Sequence, residues 1–226
     1  MVFSFIILGL LPSFAWLLFF LKEDLHPEPK KMLAKVFFGG AFITILALTA
    51  QNLLRIFFNR AGIAPYDFLS FLTFGAIEEA MKFGVAYFIV RKSPFFDEPV
   101  DAMIYLITTA LGFAMVENIA VLINASALKE ALGVVTLRFV GATLLHALSS
   151  AIVGYFWAKS LIKSSESPLK VIGHWSLVIG LITASLLHGL FNYLIISLED
   201  VVIYPTIFLI LIALFVFWDF ERLKSN

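Results

Sequence analysis

FLSFLTFGAIEEAMKFGVAYFIV, residues 68–90, decides how the rest of the chain is read. It is long enough to cross a bilayer as a helix, and Glu78, Glu79 and Lys82 stand near its middle. A charge at that depth costs several kcal/mol or more unless it is paired or hydrated, so an intramembrane ionisable residue is read first as a functional-site candidate. Helical spacing puts Glu78 and Lys82 on one face at i,i+4, with Glu79 about 100° round. An internal ion pair that only fixes helix packing needs one carboxylate and one ammonium. The second, adjacent carboxylate is left over from that structural account.

Working outward, six more apolar segments of spanning length appear, at 2–21, 36–58, 102–123, 134–158, 171–196 and 203–219. With 61% hydrophobic residues and a mean hydropathy of +0.98, the expected fold class is all-α, a polytopic membrane bundle of about seven spans. Residues 1–226 form a single membrane domain in this reading, with 68–196 as its catalytic core. Residues 1–21 lack a basic leader and an A-x-A site, and are read as a retained span, with a kink expected at Pro12. A zero formal net charge gives no reason to expect nucleic acid as a partner. The absence of cysteine excludes disulfides, thiolate metal sites and a cysteine nucleophile.

Lys and Arg in the short connections set the expected orientation. One side collects Lys22, Lys30, Lys31, Lys35, Arg91, Lys92, Lys159, Lys163, Lys170, Arg222 and Lys224; the other holds Arg55, Arg60 and Lys129. The N-terminus is therefore expected outside and the C-terminus in the cytoplasm. The segment 124–133 reads as a short helix on the outer surface. His26 reads as a solvated loop residue and His174 as an interface residue beside Trp175.

Other polar residues recur inside the spans: Glu117 and Asn118 in the fourth, Arg138 and His146 in the fifth, His188 and Asn192 at i,i+4 in the sixth. Each has a structural explanation if taken alone. A glutamate or histidine can be satisfied by a neighbouring helix, and Arg138 can snorkel to water. Counted along the spans, however, Glu78, Glu79 and His146 fall near the midplane, with Glu117, His188 and Asn192 somewhat outward. A common depth on four helices favours one polar cavity over scattered helix glue.

Such a set supports two forms of hydrolysis. A glutamate can act as general base on water, or Glu and His can hold a divalent metal such as zinc that acidifies a bound water. His and Asn can hydrogen-bond a developing oxyanion. There is no G-x-S-x-G, H-E-x-x-H or G-x-x-x-x-G-K-[ST] pattern. Glu78, Glu79 and His188 are the candidate catalytic residues, with Lys82, Glu117, Asn118, His146 and Asn192 in support. For a metal, Glu79, Glu117 and His188 are the candidate ligands. Lys82 is expected to balance carboxylate charge one turn away.

Glu78-Glu79-Ala80-Met81-Lys82 matches an EExxK motif, Phe113 through Glu117 followed by Asn118 matches FxxxE(N), and His188 through Asn192 fits HxxxN/D. In this order, over residues 68–196, they resemble the PrsW family of intramembrane proteases, related to the type II CAAX prenyl proteases. Those relatives carry EExxxR and FxxxH where this chain has EExxK and FxxxE. The resemblance implies a multi-pass protein of a bacterial cell membrane. It implies the site-1 cut in a single-pass anti-sigma factor (RsiW-like) on its extracytoplasmic side, leading to sigma-factor release in a stress response. The rival readings are an ion-coupled transporter built on the same Glu/Lys/His set, and a non-catalytic membrane scaffold.

Overall fold

The computed structural model describes residues 2–64, 67–166, 171–198 and 203–224, with side chains 163–174 outside the description. His174 therefore lies outside the described side chains. The order is α1 (Val2–Phe20), α2 (Lys30–Arg60), α3 (Phe68–Val90), α4 (Asp101–Leu122), α5 (Leu128–Val140), α6 (Ala142–Glu166), α7 (Val171–Ser197) and α8 (Ile203–Lys224), with no strand among the described residues. Helices are the form that satisfies every backbone N–H and C=O within a single segment in a medium without water. Six stretches, counting α5 and α6 as one, are long and apolar enough to cross a membrane. The 23-residue α3 is of spanning length too but carries Glu78, Glu79 and Lys82. The expected bundle of about seven spans is what forms.

α4 is the axis of the bundle. Every residue from Asp101 to Met115 is buried, and α1, α2, α3 and α6 pack around it. Small residues allow this. A Cβ on Gly40 of α2 would overlap the Thr109 carbonyl of α4, and one on Gly112 would overlap the Phe37 carbonyl. The second close crossing joins α3 to α7. A Cβ on Gly189 would lie 2.7 Å from Leu72 Cα, and one on Gly75 would sit 3.3 Å from His188 Cβ. Glycine here brings the backbones together, and His188 is thereby carried to the face of α3 that holds Glu79.

The fifth expected span differs in one respect. The sequence reads 134–158 as a continuous helix, but the chain breaks at Gly141, whose φ of −108° and ψ of −100° are not helical. A Cβ at Gly141 would lie 2.7 Å from the Leu137 carbonyl oxygen. Apolar periodicity continues across the break, so the pattern gave no warning of it. α5 covers much of the expected short helix, beginning at Leu128 and running on to Val140. α1 stays helical through Pro12.

The charged connections gather at one end of the bundle. Lys224 Nζ donates to Glu23 Oε2 at 2.8 Å, and His26 Nδ1 lies 2.7 Å from Glu98 Oε1. His26 is mostly exposed there, as the sequence suggests. Beneath it, Asp24 accepts from the backbone N–H groups of His26 and Glu28, and Glu28 meets the Tyr105 hydroxyl of α4. Burial pushes the Glu28 carboxyl up to about 7, with the nearby Asp101 charge adding to the effect, and burial also raises Asp24.

A buried carboxylate and histidine centre

The double glutamate divides its labour. Glu79 is fully saturated. Its Oε1 accepts from Lys82 Nζ at 2.8 Å, His188 Nδ1 at 2.9 Å and Ser149 Oγ at 3.0 Å, while Oε2 accepts from Ser150 Oγ at 2.9 Å. Glu78 is different. Its Oε1 accepts from Gln51 Nε2 at 2.8 Å, but its buried Oε2 has no hydrogen-bond partner. That oxygen faces His188 Nε2 and Lys82 Nζ at 3.5 Å each and His146 Nδ1 at 3.7 Å. A buried acceptor without a donor costs about 1–3 kcal/mol and calls for an account.

The two histidines face this oxygen in related ways. An ammonium has no lone pair, so the 2.8 Å contact from Lys82 Nζ makes His146 Nδ1 an acceptor. The proton of His146 is then on Nε2, where it is donated to Glu117 Oε2 at 3.0 Å. His188 donates from Nδ1 to Glu79, and its Nε2 is turned towards Glu78. Each imidazole thus has one nitrogen on an orienting carboxylate and the other on the Glu78 side. The rings meet edge to face with centroids 4.9 Å apart.

An outer layer holds these groups. Arg138 donates from Nη2 to Glu117 Oε2 at 3.1 Å and from Nε to Asn118 Oδ1 at 2.6 Å. The turn at Gly141 places Arg138 at the end of α5 and His146 near the start of α6, so both reach Glu117. Asn118 in turn donates to Thr143 Oγ1 at 3.1 Å. Lys82 is wholly buried, and the Phe113 ring covers its ammonium with the centroid 4.7 Å away.

Of the residues singled out from sequence, Glu78, Glu79, Lys82, Glu117, Asn118, His146 and His188 form one connected network. Asn192 stands one turn beyond His188, half-buried, with no side-chain hydrogen bond among the described residues. Gln51, Ser149 and Ser150 were not singled out. The signal was present for the serines, which follow His146 by one turn at i+3 and i+4. Gln51 stands beside Asn52 near the end of a largely apolar span and carries no charge to mark it out. A carboxylate oxygen of Glu78 and one ring nitrogen each of His146 and His188 lie within 4.8 Å of one another, close enough to hold one metal ion. Of the expected ligands Glu79, Glu117 and His188, only His188 belongs to this group. Glu79 and Glu117 contact the outward nitrogens of the two histidines.

Comparison with known proteins identifies the family. The model of the family described as PrsW family intramembrane metalloprotease matches residues 28–218. Protease PrsW of Bacillus subtilis (strain 168) is 30% identical over 96% of this chain and 92% of its own length. Protease PrsW of Geobacillus kaustophilus is 28% identical over 88% of this chain and 82% of its own, and that of Clostridioides difficile 28% over 77% and 71%. No solved structure matches. The family match spans α2 to α7, every helix that contributes a residue to the Glu78 centre, and the chain belongs to the PrsW family of intramembrane metalloproteases, as a membrane-embedded protease.

Proposed function

We propose that this protease makes the site-1 cut in a single-pass, membrane-anchored anti-sigma factor of the RsiW type, on the extracytoplasmic side of a bacterial cell membrane. The N-terminus is outside and the C-terminus cytoplasmic in this reading. Its support is the Lys/Arg bias together with the gathering of loop 21–29, loop 91–100 and the end of α8 at one end of the bundle. Residues 68–196 supply the catalytic core.

The observation that carries the chemistry is the orphan Oε2 of Glu78 between two inward-facing imidazole nitrogens. One carboxylate and two neutral imidazoles suit a divalent ion such as zinc and leave room for a water or substrate as a further ligand. Carboxylates on the outward nitrogens are the usual second layer of such sites. Glu78, His146 and His188 would hold the ion, which when bound supplies Lewis-acid polarisation of the scissile carbonyl and an acidified water. Glu79 positions His188, and Glu117 positions His146. Ser149 and Ser150 keep Glu79 in place. The unengaged amide of Asn192 is available to donate to a developing oxyanion. The dry surroundings strengthen each of these contacts.

The test is co-expression with an epitope-tagged RsiW-like anti-sigma factor, followed by fragment analysis on blots. Wild type yields a shortened fragment whose size places the cut outside the membrane, and Glu78→Gln at equal membrane abundance yields none. Equal cleavage by Glu78→Gln overturns the assignment of the centre. A fragment cut within the cytoplasmic tail overturns the side.

A further inference from the structure

Charge balance by itself does not explain where the Lys82 ammonium sits. Glu79 Oε1 at 2.8 Å would be sufficient as a counter-ion, yet Nζ also donates at 2.8 Å to His146 Nδ1 and lies 3.5 Å from Glu78 Oε2. It thus uses the lone pair that His146 turns inward and stands beside the oxygen that has no donor of its own.

We infer that Lys82 is a built-in cation that holds the Glu78–His146–His188 centre in the metal-free protein, and that a divalent ion enters only by displacing its ammonium from His146 Nδ1. The inference rests on the metal reading above. The contacts make the competition geometric as well as electrostatic. An ion ligated by both His146 Nδ1 and Glu78 Oε2 sits about 2.1 Å from each. Those atoms are 3.7 Å apart, and Nζ is 2.8 Å from the first and 3.5 Å from the second. Any such ion therefore falls within about 3.5 Å of Nζ if Lys82 stays in place. The nitrogen lone pair, moreover, cannot accept an ammonium proton and ligate a metal at once.

Lysine suits this role because its charge is a compact point on a flexible four-carbon stem. Glu79 remains as its anchor when the His146 contact is given up, and the Phe113 ring offers a cation-binding face 4.7 Å from Nζ. In the metal-free state the ammonium meanwhile offsets one of the two negative charges of the adjacent buried carboxylates. The centre is therefore folded and pre-arranged without metal.

The full chain, purified in detergent and stripped of metal, is titrated with zinc against a chromophoric chelator, alongside Lys82→Met and Lys82→Gln. Zinc is also added to wild type carrying 13C-labelled lysine, with the Lys82 ε-carbon signal assigned by its absence from the variants. The expected result is zinc binding about ten-fold tighter or more in the variants, and a shift of the Lys82 signal in wild type. Zinc bound by wild type and bound no more tightly by a folded variant overturns the inference and leaves the metal reading standing. So does an unmoved Lys82 signal at saturating zinc. No zinc binding by wild type or either folded variant overturns the metal reading and the inference together. If neither variant folds, the Lys82 signal is assigned in wild type by its cross-peak to the Phe113 ring, whose centroid is 4.7 Å from Nζ, and still decides.

Discussion

Glu78→Gln and Glu79→Gln should separate activity from stability, although the residues are adjacent and differ little in exposure. Glutamine can reproduce most of the hydrogen bonds of Glu79. Its amide oxygen can accept from Lys82, His188 and Ser149, and its NH2 can donate to Ser150 Oγ. What is lost is the charge 2.8 Å from a fully buried ammonium, leaving Glu78 at 3.5 Å as the next counter-ion. Breaking a buried pair by removing one partner costs about 3–5 kcal/mol. At Glu78 the Gln51 bond survives the change, and the orphan oxygen is replaced by a group that can donate towards His188 Nε2. The expected change there is within about 1 kcal/mol. Reversible unfolding in mixed micelles measures both values, and cleavage of the tagged substrate is followed on the same preparations. Glu79→Gln is expected to be destabilised by several kcal/mol. Glu78→Gln is expected to remain folded and inactive. A Glu79→Gln protein as stable as wild type, or a Glu78→Gln protein that is the more destabilised of the two, would refute the division of roles.

Three further outcomes follow from particular contacts. Glu117→Gln weakens the acceptor that orients His146 Nε2 and should lower zinc affinity or cleavage about 10–100-fold at unchanged membrane abundance, read by chelator competition and blot. Gly189→Val must push α7 from the Leu72 backbone, costing about 1–3 kcal/mol in micelle unfolding and separating His188 from Glu79. At the charged end of the bundle, Glu28 has its folded-state pKa raised from 4.5 to about 7. The folded state therefore binds the extra proton in that window, and stability is lost as pH rises from about 4.5 to 7, then levels off. Thermal melts across that range should show the decline, and Glu28→Gln should flatten it.

The helical spans were legible in the sequence because lipid permits few alternatives. An apolar run of spanning length must satisfy its backbone within itself, and that requirement is local. The i,i+4 relation of Glu78 to Lys82 was legible for the same reason, since helix geometry fixes which face a residue occupies. The candidate polar residues could also be named, because a charge or imidazole in an apolar span stands out from its neighbours. The break at Gly141 could not be read, because a glycine inside an apolar run resembles any helix-packing glycine until Leu137 and the entry to α6 are both placed. Tertiary structure also decided which carboxylate is saturated. Glu78 and Glu79 are chemically identical neighbours, but the 100° between them turns Glu79 to the serines of α6 and Glu78 to Gln51 of α2. The pairing of His146 with Glu117 and of His188 with Glu79 depends on how closely α3, α4, α6 and α7 approach. That approach is set by small residues such as Gly75, Gly112 and Gly189, which lie in or beside the motifs but meet backbones elsewhere in the chain. The sequence determined that this chain is a helical membrane protein with carboxylates, imidazoles and an ammonium inside it. Only the packing of the helices decided which oxygen is left without a donor, because that depends on distances between side chains far apart in the chain.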